Sequence, residues 1–315
     1  MIRVPSLIHA GEFQSLKIQD MTFVAYRNQD PPLKNEVFFE EHAVIFVLEG
    51  EKKFVSPTQT IHVRKGHILF IRRGYYLMQE TIDSNYRSLV FFFNEKLLKE
   101  FVGQHLEMFT TAPRSVGRPA PEGGASTQLL DSKAPEASVA PSGAGETDAS
   151  GALLVFEITE SLNKFTESIF PYFHQETPYL NHFLRLKLQE LLLHILEIDH
   201  SGQFKSILFS LYKGEKVDLE YLMNSYYLKP LSLEELSRLS GRSLSAFKRD
   251  FQEQFNNSPA LWIKNKRLEY AGLQLEKTNK NVSEISMEIG YESVSHFIKA
   301  YKEKFGQTPG KNGER

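Results

Sequence analysis

The chain has 315 residues, with 37 Lys and Arg against 39 Asp and Glu, and it contains no cysteine. Its length suggests about two domains, and its 41% hydrophobic content is sufficient for packed cores. The missing cysteine excludes disulfides, zinc fingers, iron–sulfur clusters and thiolate catalysis. The net charge of −2 gives no sign of a nucleic-acid partner. No apolar run approaches the ~20 residues of a membrane span, and the first residues lack a secretion-signal core, so we expect a cytoplasmic protein.

Residues 1–109 carry the pattern of an all-β unit. Short runs rich in β-branched and aromatic residues, such as AVIFVLEG and HILFIRRG, are separated by Gly, Pro, Asn and Asp. This pattern is typical of strands joined by turns. Gly50 and Gly66 stand where hairpin turns are expected. These residues are therefore predicted to form a β-rich domain.

Residues 110–152 have a different composition. Ala, Pro, Gly and Ser fill 25 of the 40 positions from 112 to 151, and no aromatic residue occurs between Phe109 and Phe156. Such a segment cannot bury enough apolar area to offset the entropy of ordering it. The composition predicts a flexible linker or insertion.

Apolar residues recur at three- and four-residue spacing over 153–212, which predicts helices. One helix over 180–198 has a broad apolar stripe, and two interpretations of it are open. The stripe either packs in the core of its own domain or docks on a second subunit. We take it as a dimerisation surface, formed by Leu184, Leu188, Leu191, Leu192 and Ile195.

Residues 218–312 contain an internal duplication. LEELSRLSGRSLSAFKRDFQEQFNNSP and VSEISMEIGYESVSHFIKAYKEKFGQTP align with Phe247 and Phe297 at equivalent positions, 50 residues apart. Gly241 and Gly290 fall between two short helical patterns, where the turn after a helix favours a residue that can take a positive φ. Two short helices joined by a glycine turn are typical of a helix-turn-helix motif.

The starts of the helices are marked by serines. We predict Ser232 and Ser283 as N-caps of the first helix in each copy, and Ser243 and Ser293 as N-caps of the second. Between the copies, residues 259–276 predict one helix about 27 Å long at 1.5 Å per residue. Successive major-groove faces of B-DNA lie ~34 Å apart. One chain would therefore place two recognition helices in adjacent groove segments.

The duplicated region resembles the AraC/XylS family of transcriptional regulators. The matching positions are Leu236, Gly241, Ser243, Phe247, Phe251, Arg267, Leu268, Ala271, Ile285, Gly290, Tyr291, Ser293, Phe297, Tyr301, Phe305, Gly306, Thr308 and Pro309. One departure is the tail, where Gly310 and the next two residues replace the aromatic–arginine pair usual in the family. The resemblance implies a regulator, more often an activator, whose partners are promoter DNA and RNA polymerase.

The outward faces of the two recognition helices supply candidate DNA contacts. Arg and Lys can donate to guanine, Gln can pair with adenine, and an aliphatic side chain can pack on the thymine methyl. We predict base reading by Ser245, Lys248, Arg249, Gln252, Ser295, Ile298 and Lys299, and the resemblance adds Val294. Phosphate contacts, which carry no sequence information, are predicted for Ser243, Lys264, Lys266, Ser293 and Lys302. Arg267 is expected to brace the two subdomains and Trp262 to lie in the core.

The front half resembles the cupin-like regulatory domain of the same family through VLEGEKKF and VRKGHILFIRRG. Within the family, LFIRRGYY is similar to the activators of type III secretion genes, whose front domains bind a partner protein. The expected fold is therefore α+β: an N-terminal cupin-like β-barrel with dimerisation helices, and a C-terminal all-α double helix-turn-helix domain. A small apolar effector in the barrel would be lined by some of Phe23, Tyr26, Phe46, Phe54, Phe70, Tyr75 and Phe91.

Two alternative functions are open. The double motif could bind protein in a partner-regulated scaffold, or the front half could be a metal-free cupin-type enzyme. None of the ten histidines forms the His-x-His pair expected of a metal-binding cupin. No phosphate-binding glycine loop or Ser/His/Asp motif occurs either. We therefore predict no cofactor, no metal and no enzymatic activity.

Overall fold

A computed structural model describes residues 1–6, 13–27, 34–56, 59–80, 85–110, 153–174 and 177–311. The predicted insertion over 110–152 lies outside these ranges, except for Thr110, which ends a short helix. Within the described residues, no helix has both the length and the apolar character needed to cross a membrane.

The strands of the front domain form two sheets, ordered β1-β4-β9-β6-β7 and β11-β8-β5-β10-β3-β2. The predicted closed barrel is therefore wrong, because the two sheets are separate layers with apolar side chains packed between them. The strands are β1 (Ile2–Val4), β2 (Gln14–Ile18), β3 (Met21–Arg27), β4 (Lys34–Phe39), β5 (His42–Glu49), β6 (Glu51–Val55), β7 (Thr60–Arg64), β8 (His67–Ile71), β9 (Gly74–Glu80), β10 (Arg87–Phe93) and β11 (Leu153–Glu157).

The six-stranded sheet is covered on both faces. In β5, Val44 and Phe46 face the helical layer, whereas Ala43 and Ile45 face the other sheet. Because neighbouring residues of a strand point to opposite faces, a strand buried on both sides needs a continuous apolar run. This explains the AVIFV and LVFFF runs. Gly50 and Gly66 have φ of 73° and 87°, as the predicted turns require.

Helices cover the outer face of this sheet. They are α1 (Glu95–Gln104), α2 (Leu106–Thr110), α3 (Glu160–Ile169), α4 (Leu180–Ile198) and α5 (Gln203–Lys213), with a 3-10 turn at Phe170–Phe173. The helix prediction from residue 153 is wrong for LLVFE, which forms β11 and pairs with β8 from Leu153↔Ile71 to Glu157↔His67. An apolar run of five residues fits either element, and here the exposed edge of β8 selects the strand.

The stripe on α4 lies inside the molecule. Its five predicted dimerisation residues are 0–3% exposed and belong to the core cluster shared with the six-stranded sheet. The assignment of Leu184, Leu188, Leu191, Leu192 and Ile195 to a dimer interface is therefore wrong, and the core interpretation holds. The opposite face of the same helix carries exposed apolar side chains, Phe183, Leu186 and Leu193.

The C-terminal region is all-helical. It consists of α6 (Leu219–Tyr226), α7 (Leu233–Leu239), α8 (Leu244–Phe255), α9 (Pro259–Lys277), α10 (Val282–Glu288) and α11 (Val294–Phe305), followed by a 3-10 turn at Pro309–Lys311. The pairs α7–α8 and α10–α11 each pack on their own small apolar core. The predicted double helix-turn-helix arrangement, with α9 as the connecting helix, is confirmed.

Candidate nucleic-acid interface

The first helix-turn-helix forms by the predicted local rules. Ser232 accepts a hydrogen bond from the Glu235 amide, and Glu235 closes a capping box on α7. Gly241 takes φ of 72° at the turn, and the Ser243 hydroxyl accepts from the Ala246 amide at 3.2 Å to start α8. These caps fix the direction in which α8 leaves the turn.

The second motif differs from the prediction at its first cap. Asn281, not Ser283, caps α10. Its side chain accepts from the Glu284 amide at 2.9 Å, and the Glu284 carboxylate accepts from the Asn281 amide at 2.8 Å. Of the two candidate caps in NVSEIS, only Asn281 has a Glu three residues later, and its capping box satisfies two amides at once, whereas Ser286 stands at that spacing from Ser283. Gly290 has φ of 81°. Ser293 occupies the N-cap position of α11 but makes no side-chain capping bond.

The predicted base-reading side chains lie mostly on exposed surface. Phe247 and Phe251 on α8, and Phe297 and Tyr301 on α11, are turned into the cores. Opposite them, six positions are exposed: Ser245, Lys248, Arg249, Gln252, Ser295 and Lys299. Ile298 is half-buried and packs against the second core, so less of its side chain is available to a thymine methyl.

The predicted phosphate contacts are close to acidic groups. Lys264 lies 3.6 Å from Glu303 and Lys266 lies 3.7 Å from Glu269. Ser243 is engaged as a cap, whereas Lys302 is exposed at the last turn of α11. The neighbouring carboxylates reduce the positive potential at both α9 lysines, which favours modest non-specific attraction to phosphate.

Arg249 has a partner that the sequence did not predict. Its Nη2 atom donates to Asp250 Oδ1 at 2.8 Å. The other carboxylate oxygen accepts from Arg242 Nε at 3.1 Å and from Lys216 Nζ at 3.2 Å. Hydrogen bonds from these three cations hold the pKa of the Asp250 carboxyl far below its ordinary range. No sequence signal pointed to this cluster, since Lys216 lies outside the repeated motif.

The brace predicted for Arg267 is confirmed. From α9 its Nε donates to the Tyr227 carbonyl at 2.6 Å and its Nη2 to the Lys229 carbonyl at 2.9 Å. On its other side, a Cβ added to Gly290 would lie 3.0 Å from the guanidinium. Arg267 thus joins the segment before α7 to the turn of the second motif. Trp262 packs on Phe251 in the first core, also as predicted.

The front domain contacts the first helix-turn-helix directly. Arg3 in β1 donates from Nε to Glu235 Oε1 at 2.9 Å and from Nη2 to Oε2 at 3.2 Å. Arg73 donates to the Arg238 carbonyl. Lys229 Nζ lies 2.9 Å from the Tyr75 hydroxyl. These polar contacts join the five-stranded sheet to α7 and to the segment before it.

A cavity of about 350 Å³ lies between the two sheets. Its walls are mainly apolar, and Lys52 adds a cation, with Nζ 4.7 Å and 4.1 Å from the ring centres of Tyr26 and Tyr86. Of the predicted effector-lining residues, Tyr26 and Phe54 line it. Phe23, Phe46, Phe70 and Phe91 instead fill the core under the helices, and Tyr75 faces Lys229.

A smaller cavity, about 90 Å³, lies at the junction of the front domain and the helix-turn-helix region. His42 lines it, and its Nδ1 accepts from the Arg73 amide at 3.4 Å. Within the described residues, its Nε2 atom has no hydrogen-bond partner. Burial, with Arg73 and Arg72 nearby, holds the pKa of His42 well below its usual value. Among the described residues, no three or more His, Asp or Glu side chains lie close enough together to hold a metal ion.

Two family models match the two regions described above. Residues 42–120 and 133–207 match the family model described as the ExsA N-terminal regulatory domain, and residues 236–315 match a helix-turn-helix domain model. The chain is 27% identical to the HTH-type transcriptional regulator ExsA of Pseudomonas aeruginosa, over 87% of this chain and 86% of that protein. It is 24% identical to the thermoregulatory protein LcrF of Yersinia pestis, over 88% and 91%. A structure of apo ToxT from Vibrio cholerae aligns over 93% and 97% with 13% identity and a TM-score of 0.40.

Proposed function

Because this chain is an AraC/XylS-family transcriptional regulator, in which an ExsA-type N-terminal regulatory domain precedes a helix-turn-helix domain, we propose that it activates transcription from promoters read by α8 and α11. The observation that carries this proposal is the pairing of two equivalent helices, each packed on its own apolar core with its polar face exposed. RNA polymerase is the partner through which the bound protein would act, in the cytoplasm.

Different residues of the helix-turn-helix domain contact bases and phosphates in this proposal. Arg249 and Lys299 donate to guanine edges, and Gln252 pairs with adenine. Lys248, Ser245 and Ser295 supply shorter polar contacts, and Ile298 meets a thymine methyl with its exposed part. Lys264, Lys266, Lys302 and the helix starts at Ser243 and Ser293 fix the register on phosphates.

Selection of bound sequences from random duplexes tests the proposal. A selected site should cover about two helical turns of DNA, and log affinity should fall linearly with log salt. Lys299→Ala should cost ~1–3 kcal/mol at one base pair of that site. Lys280→Ala is the matched control, because it removes the same charge from the same domain while Lys280 pairs with Glu288 on α10. An unchanged sequence preference for Lys299→Ala would contradict its reading role, and failure to select any duplex would favour the protein-binding scaffold.

We further propose that the protein dimerises through the outer face of α4, opposite the buried stripe. Tyr179, Phe183, Leu186 and Leu193 are 39–63% exposed on this face. An antiparallel pair of these helices would set Phe183 of each copy against Leu193 of the other, which is the self-complementary contact that a two-fold dimer needs. Two copies would then present four recognition helices to one promoter.

The cavity between the sheets is the proposed effector site. An apolar effector would contact Ile2 and Val4, which line the cavity from β1. Arg3 lies between them on the opposite face of the strand and holds Glu235 of α7. A ligand that shifts β1 would therefore alter the contact with the first helix-turn-helix, a coupling of about 1–3 kcal/mol. Saturable binding of anilinonaphthalene sulfonate, lost in a cavity-filling Val90→Phe variant, would support this site. Binding that persists in the filled variant would contradict it.

A further inference from the structure

Asp250 lies at the junction of three elements. It belongs to α8, and its carboxylate is bonded to Arg249 on the same helix, to Arg242 in the preceding turn and to Lys216 in the segment that joins α5 to α6. The Arg242 side chain is only 10% exposed and that of Asp250 19%, whereas that of Arg249 is 66% exposed. The carboxylate is thus held on its inner side and presents one oxygen to the outward-facing arginine.

The segment that carries Lys216 is attached to the same turn by its backbone. The Val217 amide donates to the Ser240 carbonyl at 3.1 Å, and Arg242 Nη1 donates to the Val217 carbonyl at 2.8 Å. Gly241 makes this approach possible, because a Cβ at this position would lie 3.0 Å from the Glu215 carbonyl oxygen. The connection between the two domains therefore lies directly on the turn that leads into α8.

We propose that Asp250 is a positioning residue for base reading: it orients the Arg249 guanidinium, and Lys216 links that orientation to the interdomain connection. This inference rests on the proposed reading role of Arg249. An exposed arginine has many rotamers of similar energy. One anchored Nη2 restricts them and leaves further N–H donors for a guanine edge, which needs two donors side by side.

The proposal predicts two effects of opposite sign. Removing the carboxylate frees Arg249, so discrimination at the base pair it reads should fall. The same change removes a negative charge near the phosphates, so affinity for unrelated duplex should rise. A carboxylate that served only the stability of the domain would lower both quantities when it was removed.

The experiment uses the full chain and a duplex obtained by selection, with each base pair changed in turn. Arg249→Ala first identifies the base pair whose preference it loses. Asp250→Ala should lose at least about fivefold of the discrimination at that pair, while binding unrelated duplex more tightly. Glu253→Ala is the matched control, because it removes one negative charge from α8 without removing a hydrogen bond from Arg249. It should raise non-specific affinity and keep the discrimination.

The outcomes distinguish the reading role of Arg249 from the positioning role of Asp250. If Arg249→Ala changes no base preference, the reading role of Arg249 fails and the positioning role fails with it. If Arg249→Ala changes a preference but Asp250→Ala does not, only the positioning role is overturned. Asp250→Asn, which keeps the shape of the side chain, replaces Asp250→Ala should the latter unfold. Lys216→Met should lose a smaller part of the discrimination, because Arg242 still holds the carboxylate. Discrimination equal to that of the wild type would show that Lys216 does not link the orientation of Arg249 to the interdomain connection.

Discussion

Arg3 donates two hydrogen bonds to the carboxylate of Glu235, and the same carboxylate accepts from the Ser232 amide at 2.7 Å to close the cap of α7. A single side chain therefore serves the start of a helix and the contact between two domains. The surrounding contacts are also polar, which is typical of interfaces between domains that can move apart. A change at Arg3 should affect the contact while leaving the cap in place.

We expect Arg3→Ala to loosen this interdomain contact. A partly buried, two-pronged pair is worth about 1 kcal/mol, so the segment from 214 to 218 should exchange its amide hydrogens several-fold faster. Arg87→Ala is the control, since it removes an exposed pair with Glu49 within the front domain. Hydrogen exchange measured by mass spectrometry checks the prediction, and equal protection in both variants would contradict it.

The buried histidine at the domain junction should make stability depend on pH. Burial, reinforced by Arg73 and Arg72, lowers the pKa of His42 in the folded chain. The groups around this position also include Glu95 and Glu41. The unfolded chain takes up the proton near pH 6.5, so it binds more protons than the folded chain below that pH. The contribution of neutral His42 to the free energy of unfolding is therefore fully present above about pH 6.5. It decreases as pH falls, by up to about 1.4 kcal/mol per pH unit.

Replacement of this side chain tests its contribution. His42→Gln should be less stable at neutral pH, yet it should lose less stability than the wild type between pH 6.5 and pH 5.5. Urea unfolding at both pH values, followed by circular dichroism, measures the difference. Identical pH slopes for the two proteins would show that His42 does not carry this dependence.

Gly241 should be far less tolerant of a side chain than Gly306. Both have left-handed backbone, with φ of 72° and 76°, so Ala costs about 1–2 kcal/mol of strain at either position. Only at Gly241 does the added Cβ approach a carbonyl, that of Glu215, while nothing lies within 4 Å of Gly306. We expect Gly241→Ala to cost about 1 kcal/mol more.

The only tryptophan, Trp262, packs in the first core, so its fluorescence during urea unfolding reports on the helix-turn-helix region alone. Equal urea midpoints for Gly241→Ala and Gly306→Ala would show that the Glu215 carbonyl does not restrict the space at position 241.

The parts of the structure that sequence predicted are those set by local rules. The glycine turns, the caps at Ser232 and Ser243 and the buried aromatic faces of α8 and α11 depend on residues within a few positions of one another. The cap at Asn281 was missed although the sequence carried its signal: Glu284 follows at the spacing of a capping box, and the offset from Gly241 to Gly290 maps Ser232 onto Asn281.

The parts that sequence missed depend on distant residues. β11 is a strand because the edge of β8, more than eighty positions earlier, is available to it. The ion pair of Arg3 with Glu235 joins residues 232 positions apart. The sequence around either residue gives no signal of this contact. The Asp250 cluster likewise needs Lys216 from outside the repeat. Amphipathic periodicity identified the buried face of α4 correctly but could not say which molecule covers it.

The two faces of α4 should respond differently to substitution. Leu188 is 3% exposed in the core, whereas Leu186 is 61% exposed on the opposite face. Leu188→Ala should cost about 2–5 kcal/mol of stability through the cavity it leaves. Leu186→Asp should leave the melting temperature of the dilute protein unchanged but weaken self-association at least tenfold, because the proposed two-fold contact would bury the charge of both copies. Sedimentation at several concentrations measures association, with Glu197→Gln as a mild change near the end of the same face. A Leu186→Asp protein that associates as strongly as the wild type would place the dimer contact elsewhere on the chain.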